Sequence, residues 1–175
     1  MRTDRKSRRG FSLVELVIVV VIIGLVAAIA VPRISRGAKG ATESAVKGSL
    51  AGLRAAIDLY AAEHSGVFPG KNDNTGAAGT GVASDFVDQL TKFSDASGKT
   101  GAFNKSTGII YGPYLRSGIP ALPVGPTTTA TDVLFESSSP PAPDNAGGWV
   151  YNPDTGEIRA NTDATDEDSK AYSSY

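Results

Sequence analysis

Gly10-Phe11-Ser12-Leu13-Val14-Glu15-Leu16-Val17-Ile18-Val19-Val20-Val21-Ile22-Ile23-Gly24-Leu25-Val26-Ala27-Ala28-Ile29-Ala30-Val31-Pro32 is the stretch that decides the fold of this 175-residue chain. Between Phe11 and Val31 the only polar side chains are Ser12 and Glu15, and from Leu16 onward there are none. At helical rise these residues cover about 31 Å, enough to cross a bilayer core of roughly 30 Å. The β-branched residues at 17–23 would favour a buried strand in water, but the run is far too long for one. In lipid every backbone group must be bonded internally, so the segment reads as a helix.

On the amino-terminal side, residues 1–10 carry five basic side chains and one acidic one. By the positive-inside rule they hold the amino terminus in the cytoplasm and put the rest of the chain outside it. Three processing readings compete. Ala28-Ile29-Ala30 offers a small-x-small site before Val31, as in a secretory signal, and Ser7-Arg8-Arg9-Gly10-Phe11-Ser12-Leu13 has twin-arginine character. Glu15 stands against both, because an acidic residue near a membrane-helix centre costs roughly 2.5–3.5 kcal/mol, less near its end, and a discarded signal has little reason to keep it. In the third reading the cut falls after Gly10, and Glu15 stays close to a new amino terminus.

This stretch, with its short basic leader, resembles the class III signal of type IV pilins and of the pseudopilins of type II secretion, almost position by position from Gly10 to Arg33. The resemblance implies cleavage between Gly10 and Phe11 by a prepilin peptidase, which also methylates the Phe11 amine. It implies a helix that first anchors the subunit in the inner membrane and then forms the core of a filament, together with other pilin or pseudopilin subunits and an inner-membrane assembly platform. For Glu15 it implies an ion pair with the Phe11 amine of a neighbouring subunit, a kind of contact that specifies alignment more than it stabilises. The plainer reading of Glu15 is an anion favoured by the dipole at a helix start. Pro32 ends the apolar run and sits where the family bends its helix; a flexible joint explains it equally well.

Beyond the leader the chain holds 12 basic and 17 acidic residues, a poor composition for binding nucleic acid. The absence of cysteine excludes disulfides, thiolate metal sites and cysteine nucleophiles. It also favours a pseudopilin over the many type IV pilins that close a carboxy-terminal loop with a disulfide. A single histidine, His64, leaves few acid/base constellations, and neither a Gly-x-Ser-x-Gly elbow nor a phosphate loop is present. No enzymatic activity is expected.

Val46, Leu50, Leu53, Ile57, Tyr60 and His64 recur at steps of three and four, one apolar stripe on a helix that continues to about residue 64, where Ser65-Gly66 and Pro69-Gly70 stop it. His64 reads as a helix-end residue bonding terminal carbonyls. Ser84 is placed to cap a short helix bearing Phe86, Val87, Leu90 and Phe93 on one side. Residues 94–108 read as loop, 133–136 as a strand, and 137–147 as an exposed Ser/Pro loop. Gly148-Trp149-Val150-Tyr151 and Glu157-Ile158-Arg159-Ala160 flank Asn152-Pro153-Asp154-Thr155-Gly156 as a hairpin whose apolar side chains are core. The last 13 residues read as a mobile acidic tail. The Gly-Pro-Tyr-Leu and Ile-Pro elements within residues 90–120, and the Gly-Trp-x-Tyr hairpin, resemble parts of type II secretion pseudopilins.

The expected architecture is α+β and pilin-like, a long N-terminal α-helix with its C-terminal half packed on a small antiparallel β-sheet. Its parts are a cleaved basic leader (residues 1–10), a transmembrane and filament-core helix (11–32), an amphipathic continuation (33–65) and a globular head (66–175). The expected function is that of a pseudopilus subunit, single-pass in the inner membrane with its head in the periplasm before assembly. A type IV pilus subunit, for adhesion, motility or DNA uptake, is the alternative; a secreted enzyme or binding protein with a removable signal is the alternative of another class. The one cofactor the resemblance raises is calcium, which major pseudopilins often bind in a carboxy-terminal loop. Asp163, Asp166 and Asp168, with Glu167, supply oxygen donors, as do Asn72, Asp73 and Asn74, but without the ordered alternation of an EF-hand. A solvated acidic surface is the plainer reading.

Overall fold

All six residues of the stripe are buried, Val46, Leu50, Leu53, Ile57 and Tyr60 on one face of helix α1 (Leu13–Glu63) and His64 just past its end, each no more than 2% exposed. The computed structural model describes residues 11–79, 81–126 and 130–175, with the backbone alone at 31–38. After α1 come α2 (Ala83–Thr91), a two-residue hairpin of β1 (Phe93–Ser94) and β2 (Thr100–Gly101), and a 3-10 turn at Lys105–Thr107. Strands β3 (Val133–Phe135), β4 (Trp149–Tyr151) and β5 (Ile158–Ala160) follow, then a second 3-10 turn at Tyr172–Ser174. The fold is α+β, as expected. The chain divides into two compact units, Met1–Gly40 and Ala41–Tyr175.

In the first unit the described backbone is helical from Leu13, and the helix continues without a break through Pro32, Gly37 and Gly40. The apolar run ends at Pro32; the helix does not. In the second unit the stripe of α1 packs with Phe86 and Leu90 of α2, with Leu122 and Val133, and with Trp149, Tyr151, Ile158 and Ala160 of the sheet. Side chains of this size contribute roughly 1.5–3 kcal/mol each when fully buried. Every residue of β4 is buried, as befits a central strand. Its two large rings also satisfy their polar ends: Trp149 Nε1 donates to the Pro120 carbonyl at 2.7 Å and Tyr151 Oη to that of Pro69 at 3.0 Å.

The three-stranded sheet is mixed, which corrects the antiparallel expectation: β4 and β5 form the antiparallel hairpin, but β3 runs parallel to β4. Parallel neighbours need a connection of about a dozen residues, and the Ser/Pro loop between β3 and β4 supplies it. Buried asparagines hold that loop. Asn161 Oδ1 accepts from the Asp144 amide at 2.7 Å and Asn152 Nδ2 donates to the Ser138 carbonyl at 2.9 Å.

Three aspartates head turns of one design. Asp73, Asp95 and Asp166 each use Oδ1 to accept backbone amides two and four residues ahead, at 2.8–3.1 Å. The residue three ahead of each has positive φ: Gly76 and Gly98 at 91°, and Ser169 at 62°. Gly98 must also be small, because a Cβ there would stand 2.7 Å from Tyr60 Oη. The Asp95 turn gives residues 94–108 more structure than the loop expected of them.

Two further expectations change. Ser84 is exposed and does not cap α2; the helix starts after Val82, whose amide bonds Asp85 Oδ2 at 2.9 Å. The carboxy-terminal residues are packed rather than mobile, with Tyr172 buried in the core.

Candidate functional site

Because Phe11 is 89% exposed and non-helical, the first turn of α1 opens on Ser12. The Ser12 amide donates to Glu15 Oε2 at 3.1 Å, and Ser12 Oγ accepts from the Val14 amide at 3.3 Å. This reciprocal bonding is a capping box, and it satisfies amides that a helix start otherwise leaves without partners. Glu15 is the acidic residue of that first turn, on the side where the helix dipole favours an anion. The Ser-x-x-Glu spacing announces this box in the sequence, and the reading given above passed over Ser12. Gly10 and the basic leader lie outside the described residues, as does the side chain of Pro32.

From Leu13 to Ile29 the large apolar side chains are 48–77% exposed, and Leu13–Ala30 is long and apolar enough to cross a membrane. So large a continuous apolar surface marks contact with lipid or with another chain. Among the described residues the site thus consists of a capped helix start with one carboxylate and an apolar helix whose large side chains are exposed from Leu13 to Ile29.

The other candidates resolve into structure. His64 is buried just past the end of α1; Nδ1 donates to the Tyr60 carbonyl at 2.8 Å and Nε2 lies 3.0 Å from Ser94 Oγ. A Ser-His hydrogen bond of this length suits a nucleophile, but Ser94 is fully buried and a carbonyl occupies the place of an orienting carboxylate. The imidazole also stacks on Tyr60 at 3.8 Å between centroids, which makes it a packing element. Burial, reinforced by Glu63, pushes the neighbouring Tyr114 phenol well above its ordinary range.

Calcium fits poorly. It needs six to eight oxygen ligands at roughly 2.3–2.6 Å. Asp166 gives Oδ1 to the amides of Asp168 and Lys170 and Oδ2 to the Tyr175 hydroxyl. These donors hold its carboxyl below the usual carboxylate range, the phenol contributing most. Asp163 and Asp168 are exposed, and Asp73 is spent on its own turn. Among the described residues no group of three or more His, Asp or Glu side chains is arranged to hold a metal ion.

Sequence reasoning missed Gln89. Fully buried on α2, it accepts the Gly70 amide at 2.7 Å and donates to the carbonyls of Asn72, Asp73 and Gly98 at 3.1–3.2 Å, joining two loops to the helix.

Residues 5–31 match the Prokaryotic N-terminal methylation motif. No curated protein and no solved structure matches the chain. The amino-terminal segment therefore carries a class III prepilin methylation motif, and over those residues the chain is similar to type IV pilin-like proteins. The motif implies processing by a prepilin peptidase and assembly into pilus-like filaments, and the apolar helix is consistent with anchoring in the inner membrane beforehand.

Proposed function

We propose that this chain is a structural subunit of a type II secretion pseudopilus, drawn from the inner membrane into a filament that helps export folded proteins. The observation that carries the reading is the exposed apolar helix Leu13–Ala30, opening on the Ser12–Glu15 capping box directly after a basic leader. In this proposal the peptidase cuts between Gly10 and Phe11 and methylates the Phe11 amine. The amino terminus begins in the cytoplasm, the head lies in the periplasm, and the apolar helices of many copies meet in the filament core. Glu15 then pairs with the Phe11 amine of an adjacent subunit and sets the axial register, and Pro32 lets the helix bend. The pseudopilus is preferred to a surface pilus because the chain has no cysteine and because residues 90–120 and the Trp149 hairpin resemble pseudopilin elements.

Two measurements test this. Intact mass and amino-terminal sequencing of the protein from its host's membranes are expected to give a start at Phe11 with one added methyl group. A start at Val31 would make the apolar segment a discarded signal and end the filament reading. Deletion is expected to abolish secretion of exoproteins without loss of surface fibres; the opposite pair of results would make the chain a type IV pilin.

A further inference from the structure

We propose that residues 163–175 are fastened to α1 by a latch of protein groups centred on Tyr175 and Asp166, and that the head holds this segment without a divalent cation.

Residues 164–172 form a hairpin-like loop. The Tyr172 amide returns to the Ala164 carbonyl at 3.0 Å, Thr165 bridges Ala171, and the Asp166 turn closes the tip. A loop of this kind, rich in carboxylates and lying next to a helix, is where a cation would be useful. Here its work is divided among other groups. The Tyr175 hydroxyl donates to Asp166 Oδ2, joining the loop tip to the residues that follow it. Lys47 of α1 and Lys170 of the loop place their ammonium groups 4.8 and 4.7 Å from the centre of the Tyr175 ring, within cation–π range. Arg54 of α1 donates from Nη2 to the Tyr175 carbonyl oxygen at 2.6 Å and to the Ile158 carbonyl at 3.2 Å, so helix, strand β5 and residue 175 meet on one guanidinium. Beneath them Tyr172 packs edge-on to Tyr175 and fills the core. Arg159 of β5 adds a bond to the Ser173 carbonyl at 3.3 Å.

The donor set and the charge argue the same way. Both oxygens of Asp166 are committed, the Glu43 carboxylate beside Tyr175 is already paired with Lys47 at 2.5 Å, and two ammonium groups lie over the ring, so a divalent ion entering here would have to displace bonds already made. Calcium-independent fastening departs from what the resemblance to major pseudopilins implies, but it rests on the geometry of the head and stands whether or not the filament proposal does.

The test uses the full chain in detergent micelles. Thermal unfolding followed by Trp149 fluorescence is expected to give the same midpoint in EDTA and in excess calcium chloride. Amide hydrogen exchange of residues 164–172 is expected to accelerate in Tyr175→Phe, which keeps the ring and loses only the hydroxyl, and in Asp166→Asn, which keeps an acceptor and loses the charge. Exchange in α2 is expected to be unchanged in both, which separates loss of the latch from misfolding. Asp163→Asn is expected to match the parent chain. A midpoint that falls in EDTA and recovers with calcium would overturn the proposal, and so would unaltered exchange of 164–172 in Tyr175→Phe.

Discussion

Ser12 and Glu15 satisfy each other's turn of α1: the Ser12 amide bonds the Glu15 carboxylate at 3.1 Å while the Ser12 hydroxyl takes the Val14 amide at 3.3 Å. Glu15 therefore has a partner inside its own chain before any assembly takes place. Its proposed role between subunits has to be separated from its role as a cap.

Glu15→Gln and Glu15→Val make that separation. Glutamine serves in a capping box, whereas valine does not. Cleavage after Gly10 is expected to persist in both, and filament yield is expected to collapse in both if the charge sets the register. Normal yield from Glu15→Gln with failure of Glu15→Val, scored by shearing and immunoblotting, would assign the residue to capping alone.

Leu53 is fully buried where α1 meets the sheet. Leu53→Ala is expected to destabilise the head by about 2–5 kcal/mol, the usual range for a truncated core leucine. Chemical denaturation followed by Trp149 emission measures it. A loss below about 1 kcal/mol would mean that the stripe is not the core.

Gln89→Leu keeps the bulk and removes four hydrogen bonds, stranding the Gly70 amide and the Gly98 carbonyl. A buried group left without its partner costs about 1–3 kcal/mol, so a loss of at least that size is expected. Hydrogen exchange should rise first at residues 70–76 and 95–99; a uniform rise across the head would count against Gln89 as the joint between these loops.

The Asp166 carboxyl lies below its ordinary range because the Tyr175 hydroxyl and the amides of Lys170 and Asp168 donate to it. An acid whose folded pKa is lowered stabilises the folded form above its unfolded value, about 3.9, and loses that contribution as pH falls through the folded value. The Lys170 amide proton is therefore expected to titrate with a midpoint below about 3.9 in NMR spectra. Tyr175→Phe is expected to move that midpoint upward, and an unmoved midpoint would show that the phenol is not a donor to Asp166.

Gly98→Ala forces a Cβ onto a backbone with φ of 91° and against Tyr60 Oη. A loss of about 1–3 kcal/mol is expected, the usual cost of such strain. Gly48→Ala, where a Cβ meets open space on the exposed side of α1, is the control and is expected to stabilise by a few tenths to about 1 kcal/mol.

What could be read in the sequence was whatever depends on local period. Val46 to His64 announces its buried face through steps of three and four, and Trp149 and Ile158 announce a hairpin through the turn residues between them. The parallel pairing of β3 with β4 depends on the path of residues 136–148, which composition does not encode. Gln89 carries no local signal, because nothing in the sequence around it marks three carbonyls from two other loops converging on it. Tyr172 and Tyr175 were hidden by the acidic residues around them, whose charges solvate the loop surface while the rings turn inward. At the amino-terminal site the Ser-x-x-Glu signature of the cap lies inside a far stronger apolar signal.

Among the described residues, the earliest member of the buried cluster in the second unit is Val46, and none precedes Ala41. One uninterrupted helix is therefore subject to two unrelated standards of acceptability. In the membrane-anchored form proposed above, a substitution among residues 13–30 is judged by its solubility in hydrocarbon, so leucine, valine and isoleucine are nearly synonymous there. A substitution among residues 46–60 is judged by shape against specific neighbours, where the same exchange leaves a void. Divergence along α1 should accordingly be cheap in its first half and constrained in its second, with Glu15 the exception in the tolerant part.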